Sequence, residues 1–129
     1  MKLSPPTPNP EVEATFERLA EPYPVDYLPQ IESFVSEALF RLQSYTDEYL
    51  GPNLKVARQL AERSRTLLKK YPSLDESQRA LVVGAVRYFI IMMDNMDDTK
   101  PITGLDDDVM VMNTVLDRLG MADQRIDLP

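Results

Sequence analysis

Carboxylates in the last third of the chain are the side chains with the clearest capacity for chemistry. Within fifteen residues lie six aspartates, Asp94, Asp97, Asp98, Asp106, Asp107 and Asp108. Hard divalent cations prefer such oxygen ligands, and a bound Mg²⁺ or Mn²⁺ could activate a water against a phosphate substrate. The spacing excludes an EF-hand loop, because Thr99 occupies the position that requires glycine. The candidate site, for Mg²⁺, Mn²⁺ or Ca²⁺, consists of Asp94, Asp98, Asp107 and Asp108.

A structural role for the same aspartates is the competing interpretation. Residues 106–108 fall where a helix should begin. Carboxylates in a first turn accept hydrogen bonds from free backbone N–H groups and face the positive end of the helix dipole. On this interpretation the aspartates cap a helix and no cofactor is bound.

The composition removes most other catalytic chemistry. The 129 residues include no cysteine, no histidine and no tryptophan. A thiolate nucleophile, a zinc site with Cys or His ligands and an imidazole base are therefore excluded. Fourteen basic and 21 acidic residues give a net charge of −7, which argues against nucleic acid as a partner because phosphate neutralisation dominates that affinity. The composition thus favours an acidic protein without catalytic activity, and it leaves metal-assisted chemistry by carboxylates open.

Basic side chains are concentrated in one segment. Residues 55–70 carry a charge of +5, whereas the rest of the chain carries −12. Such a segment can be a partner surface for an acidic protein or an anionic membrane face, or a solvated helix face that pairs with the acidic remainder of the same domain. The residues of this basic segment are Lys55, Arg58, Arg63, Arg65, Lys69 and Lys70.

Apolar residues recur at helical spacing along most of the chain. No segment has the alternation of a strand, and helices are predicted over 11–21, 29–50, 53–71, 73–93 and 106–119. The inward face of the second helix is predicted to include Ile31, Phe34 and Val35. We therefore expect an all-α fold, a single small bundle of four to five helices over residues 11–129, after a disordered proline-rich tail at residues 1–10.

The helix over about 75–93 is apolar almost all round, which is typical of a central helix packed on several faces. A capping box of Ser73 and Glu76 is predicted to open it. Gly84 in its middle indicates the close approach of another helix, because glycine otherwise weakens a helix. Arg87 needs a partner inside this apolar surface, and one of the nearby carboxylates is the expected one.

The apolar stretch at residues 80–93 is too short to span a bilayer as a helix, which takes about 20 residues. The N-terminus lacks the apolar stretch of a signal peptide, and the absence of cysteine fits a reducing compartment. A soluble cytoplasmic protein is expected, with peripheral membrane contact as an alternative and no integral span.

Residues 79–112 resemble the signature of the YkvA family, a bacterial helical domain of unknown function. In that family an apolar helix leads through a tyrosine to a segment of the form P-x-D-x-x-P-D-x-x-P-x-x-G-x-x-D-D. Met92 and Asp97 replace two of the family prolines. The resemblance implies a small helical domain without an established reaction. The matching positions are Tyr88, Asp94, Asp98, Pro101, Gly104, Asp107 and Asp108.

The motif residues are also suited to structural roles at the connection between two helices. Pro101 and Gly104 are expected to shape the connection between two antiparallel helices. Asp98, Asp107 and Asp108 are expected to accept hydrogen bonds that hold the start of the final helix.

Two functions remain open from the sequence. The first is a non-catalytic interaction or adaptor domain, with a protein partner or a second copy bound through the basic segment or through tyrosines of the second helix. The second is a Mg²⁺- or Mn²⁺-dependent enzyme that acts on a phosphate-type substrate through the aspartates.

Overall fold

Helices form the whole regular framework of the described chain. The computed structural model describes residues 10–43, 53–94 and 105–127. Within these ranges there is no strand, which confirms the all-α prediction. Short 3₁₀ turns occupy Val25–Tyr27, Tyr71–Ser73 and Ala122–Gln124. The five helices are α1 (Pro10–Leu19), α2 (Leu28–Gln43), α3 (Asn53–Lys70), α4 (Glu76–Asp94) and α5 (Leu105–Arg118).

Helix α4 is the centre of the bundle and contacts each of the other four helices. Every side chain from Ala80 to Val86 is buried, and so are Tyr88 and Phe89. A helix that is apolar on all sides can exclude water only when several neighbours cover it. The predicted central helix is confirmed.

Helix α1 packs closely against α4 at Gly84. A Cβ atom on Gly84 would lie 2.6 Å from Cε2 of Phe16 and 3.0 Å from Cβ of Ala20. The first distance is shorter than carbon atoms tolerate and the second is at the limit, and the Phe16 ring is fully buried. The glycine therefore gives α1 access to the backbone of α4, as its position in the sequence predicts.

The N-terminal cap of α4 differs from the prediction. The side chain of Ser73 donates to the carbonyl of Lys70 at 2.7 Å and so belongs to the turn that ends α3. Asp75 caps instead, because its Oδ1 accepts the N–H of Gln78 at 2.8 Å while the Gln78 side chain accepts the N–H of Asp75 at 3.1 Å. The hydrogen bond from the Gln78 N–H is the main reason that the pKa of Asp75 is lowered. The Ser73–Glu76 box is wrong because Pro72 commits this stretch to a 3₁₀ turn.

A buried tyrosine ties the connection between α1 and α2 to the end of α3. The hydroxyl of Tyr71 accepts the N–H of Tyr23 at 2.7 Å and donates to the carbonyl of the same residue. The guanidinium of Arg79 lies 5.2 Å from the Tyr71 ring centroid and donates to the carbonyl of Tyr71. Both backbone polar groups of Tyr23, in the connection between α1 and α2, are thus hydrogen-bonded inside the protein.

The chain after α5 is also fixed by specific hydrogen bonds. Gly120, at φ +74°, closes α5 in a Schellman motif, in which the N–H of Met121 donates to the carbonyl of Leu116 at 2.8 Å. The side chain of Asn113 then pairs with both backbone groups of Ile126, at 2.9 and 2.8 Å. Gly120 is the predicted C-terminal residue of the cap, whereas the role of Asn113 was not predicted.

None of the helices in the described ranges has the length and apolar character needed to cross a membrane.

Replacement of Gly84 by alanine should destabilise the fold by about 1 to 2 kcal/mol. The added methyl overpacks against Phe16, and this cost exceeds the helix propensity gained. Urea unfolding measures the change. The matched control combines Gly84→Ala with Phe16→Leu, in which the smaller side chain should accept the methyl at lower cost. A Gly84→Ala protein that is more stable than the wild type would show that α1 does not press on α4 in this way.

Candidate functional site

A buried carboxyl lies in the first turn of α5. Asp108 is 2% exposed, and among the described residues neither of its carboxylate oxygens has a hydrogen-bond partner. Leaving a buried polar group without a partner costs about 1 to 3 kcal/mol, and more when the group is charged. Native proteins contain few such groups, and each needs an explanation, such as a catalytic role or a bound ion or water.

The surroundings of Asp108 favour its neutral form. Burial raises the pKa of Asp108 well above its usual range, and the negative charge of Asp107 raises it further. Burial also raises the pKa of Tyr88 on α4 to about 12, with the charges of Asp108 and Asp107 adding to the effect. The structure thus brings together a tyrosine and two carboxyls that the sequence places twenty residues apart.

The predicted acidic site lies partly within the described residues. Asp98, Pro101 and Gly104 lie outside the described residues, as does the side chain of Asp94. Within the part of the chain that the structure describes, no group of three or more acidic side chains is placed to hold a metal ion. The four-aspartate cation site therefore stays a prediction.

A capping role is wrong for Asp108. Helix α5 begins at Leu105, so Asp108 comes after the positions whose side chains reach the free N–H groups. Its carboxylate accepts no hydrogen bond within the described chain. Its side chain turns into the bundle, because α5 is buried along almost its whole length from Asp108 to Leu116.

The basic segment of α3 is divided between internal contacts and solvent. Arg63 donates to the carbonyl of Gln124 at 2.7 Å, and Arg65 donates to Glu32 at 3.2 Å and to Ser36 at 3.1 Å. These two arginines join α3 to the C-terminal segment and to α2.

The other four basic side chains are exposed, in one pair near each end of α3. About 16 Å of helix separates the pairs. They are Lys55, Arg58, Lys69 and Lys70.

Large apolar side chains are exposed on and just before α2. Phe34 is 51% exposed and Phe40 75% exposed, and Val25 and Tyr27 are also exposed. We call these four residues the aromatic surface. The prediction that Phe34 faces inward is wrong, because Ile31, Val35 and Ala38 form the buried face of α2 and Phe34 lies beside it.

A groove of about 300 Å³ lies between α2 and α4 next to Phe34. The guanidinium of Arg87 lies there, 5.4 Å from the ring centroid of Tyr23. An aromatic ring, rather than the predicted carboxylate, is thus the described partner of Arg87. The residues that line the groove are Tyr23, Ile31, Phe34, Arg87, Ile90 and Ile91.

Comparison with family models, with curated proteins and with solved structures found no match for this chain. The resemblance to the YkvA family therefore stays a prediction that rests on the seven motif positions.

Replacement of Asp108 by asparagine should stabilise the protein at pH 7 by about 1 to 3 kcal/mol, since the amide cannot ionise and avoids the cost of a buried charge without partners. The pKa of this group is higher in the folded than in the unfolded protein, so the wild type loses stability as the pH rises above about 4. The advantage of the variant should therefore shrink as the pH falls to 4. Urea unfolding across this pH range measures it.

Asp123→Asn is the matched control, because Asp123 is exposed and its replacement should leave the pH profile unchanged. An Asp108→Asn protein that is less stable than the wild type at every pH would contradict the prediction.

Proposed function

We propose that this chain is a non-catalytic helical interaction domain that binds a protein partner through the aromatic surface. The observation that carries the proposal is the exposure of four large apolar side chains on a single stretch of sixteen residues, Val25 to Phe40. Single exposed apolar residues are ordinary, whereas their concentration in one stretch of the surface is typical of an interaction site.

The chemistry of this surface suits protein recognition. Aromatic side chains and arginine are enriched at the centres of interfaces, and a few of them supply most of the binding energy. Phe34 borders a groove that also contains Arg87, so an apolar anchor and a cation are adjacent. Burial of one phenylalanine side chain contributes about 1.5 to 3 kcal/mol. Two such anchors together contribute about 3 to 6 kcal/mol, and the surrounding contacts must supply the rest of the binding free energy.

The basic segment is a weaker candidate than the aromatic surface for the binding site of a partner. Arg63 and Arg65 are engaged within the bundle, and the remaining exposed charge is split between the two ends of α3. Exposed charges at that separation are largely screened from one another at physiological salt. They suit a solvated helix face.

Capture of a partner should depend on the aromatic surface. The Phe34→Ser/Phe40→Ser double variant is expected to retain the fold, because both side chains are at least half exposed, and to lose more than tenfold in partner binding. The matched control is Arg58→Glu/Lys69→Glu, which reverses charge on α3 and should bind as the wild type does. Binding is measured by pull-down from cells that express the protein, with circular dichroism as the check on folding. Loss of binding in the α3 variant alone would place the partner on the basic segment and refute the proposal.

A divalent-cation site that serves phosphate chemistry is the second candidate. The observation that favours it is the buried carboxylate of Asp108, whose oxygens have no hydrogen-bond partner among the described residues. A cation would supply the missing interaction and, if catalytic, would activate a water against a phosphate group. A bound cation would also explain why a carboxyl that destabilises the fold is retained at position 108.

Thermal unfolding with millimolar Mg²⁺, Mn²⁺ or Ca²⁺ tests the second candidate. A ligand that binds only the folded state raises the melting temperature, so the wild type should melt several degrees higher with the ion. Asp108→Asn should not respond, and NaCl at equal ionic strength provides the control. An unchanged wild-type melting temperature with all three ions would eliminate this candidate.

A further inference from the structure

Helix α2 carries a projecting aromatic side chain. Phe40 is 75% exposed, which makes it the most exposed of the four residues of the aromatic surface. Its neighbours on the same helix include two small residues, Ser33 and Ser36, and two charged ones, Glu37 and Arg41. Small neighbours allow another backbone to approach this side of the helix closely.

The same helix also borders a cavity that fits such a side chain. The groove beside Phe34 has a volume of about 300 Å³, whereas an apolar cavity of about 150 Å³ already accommodates a benzene ring. Its walls are formed by aromatic and aliphatic side chains of α2, α4 and the segment before α2, together with the guanidinium of Arg87. One molecule therefore has both an exposed aromatic side chain, Phe40, and a groove that is large enough to accept one.

We propose that the aromatic surface is the interface of a two-fold symmetric dimer, so that the partner is a second copy of this chain. This inference rests on the proposed function and names its partner. In an isologous interface each residue contacts the partner twice, once from each copy. Phe34 and Phe40 are six residues, or about 9 Å, apart along α2. Antiparallel packing of α2 on its copy places Phe40 of each protomer beside Phe34 and the groove of the other.

The charges on α2 are self-complementary in this arrangement. Glu37 lies midway between Phe34 and Phe40, close to the two-fold axis, and Arg41 follows it by one helical turn. Antiparallel packing brings Glu37 of each copy within reach of Arg41 of the other, and the reciprocal pair offsets the approach of the two glutamates. Arg87 adds a further cation at the groove. Among the described residues this face has no excess of negative charge, although the whole chain carries −7.

Sedimentation equilibrium from 1 to 500 µM tests the dimer. The wild type is expected to dimerise reversibly, and Phe40→Ser should weaken dimerisation at least tenfold. The charge-reversal variants Glu37→Arg and Arg41→Glu should each weaken it at least fivefold, because each places like charges together across the axis. The double variant Glu37→Arg/Arg41→Glu should restore it, because the reciprocal pairs form again with exchanged signs. A structural defect would not be repaired in this way.

A wild type that remains monomeric at 500 µM overturns the dimer. The proposed function survives that result if the Phe34→Ser/Phe40→Ser variant still loses a captured partner. A dimer that persists in this variant places the interface elsewhere and also overturns the inference. A double charge variant that stays as weak as its two parents rejects the antiparallel arrangement.

Discussion

The need to cover α4 on every side determines the arrangement of the bundle. Because this helix has no polar face, it is excluded from water only when α1, α2, α3 and α5 surround it together. Gly84 makes the contact with α1 possible, since the Phe16 ring lies directly against the helix backbone. Each outer helix therefore has one side committed to α4, and α3 also packs on α2 and on α5. The exposed side chains of α2 lie on the part of that helix that these contacts leave uncovered.

The sequence predicts the framework well where the cause is local. The apolar period predicts the helices, and the apolar surface of residues 75–93 on almost all sides predicts that α4 is central. The cap of α4 and the inward face of α2 are wrongly predicted for the same reason. In each case neighbouring residues are both suited to the role, and the sequence does not decide between them. Ser73 and Asp75 both have cap-forming side chains, and the turn at Pro72 decides between them. Phe34 fits the period of the α2 core, but its place at the edge of that face becomes visible only when α4 is placed beside it.

Tertiary pairing explains most of what the sequence does not reveal. Asn113 looks like an ordinary helix residue, yet it satisfies both backbone groups of Ile126. Asp108 on the same helix is also buried, but no group in the described residues donates a hydrogen bond to its carboxylate. The acidic run in the sequence indicates that this region is unusual. It does not indicate which aspartate is buried, because burial depends on how α5 lies against α4.

The hydrogen bonds between Tyr71 and Tyr23 have a consequence for local motion. Amide hydrogens in connecting segments usually exchange quickly with solvent, because no helix or strand protects them. The amide of Tyr23 is held by the hydroxyl of a fully buried side chain that lies 48 residues away in sequence. Its exchange requires the connection between α1 and α2 to separate from the end of α3. Slow exchange at this one position would therefore report the docking of two distant segments.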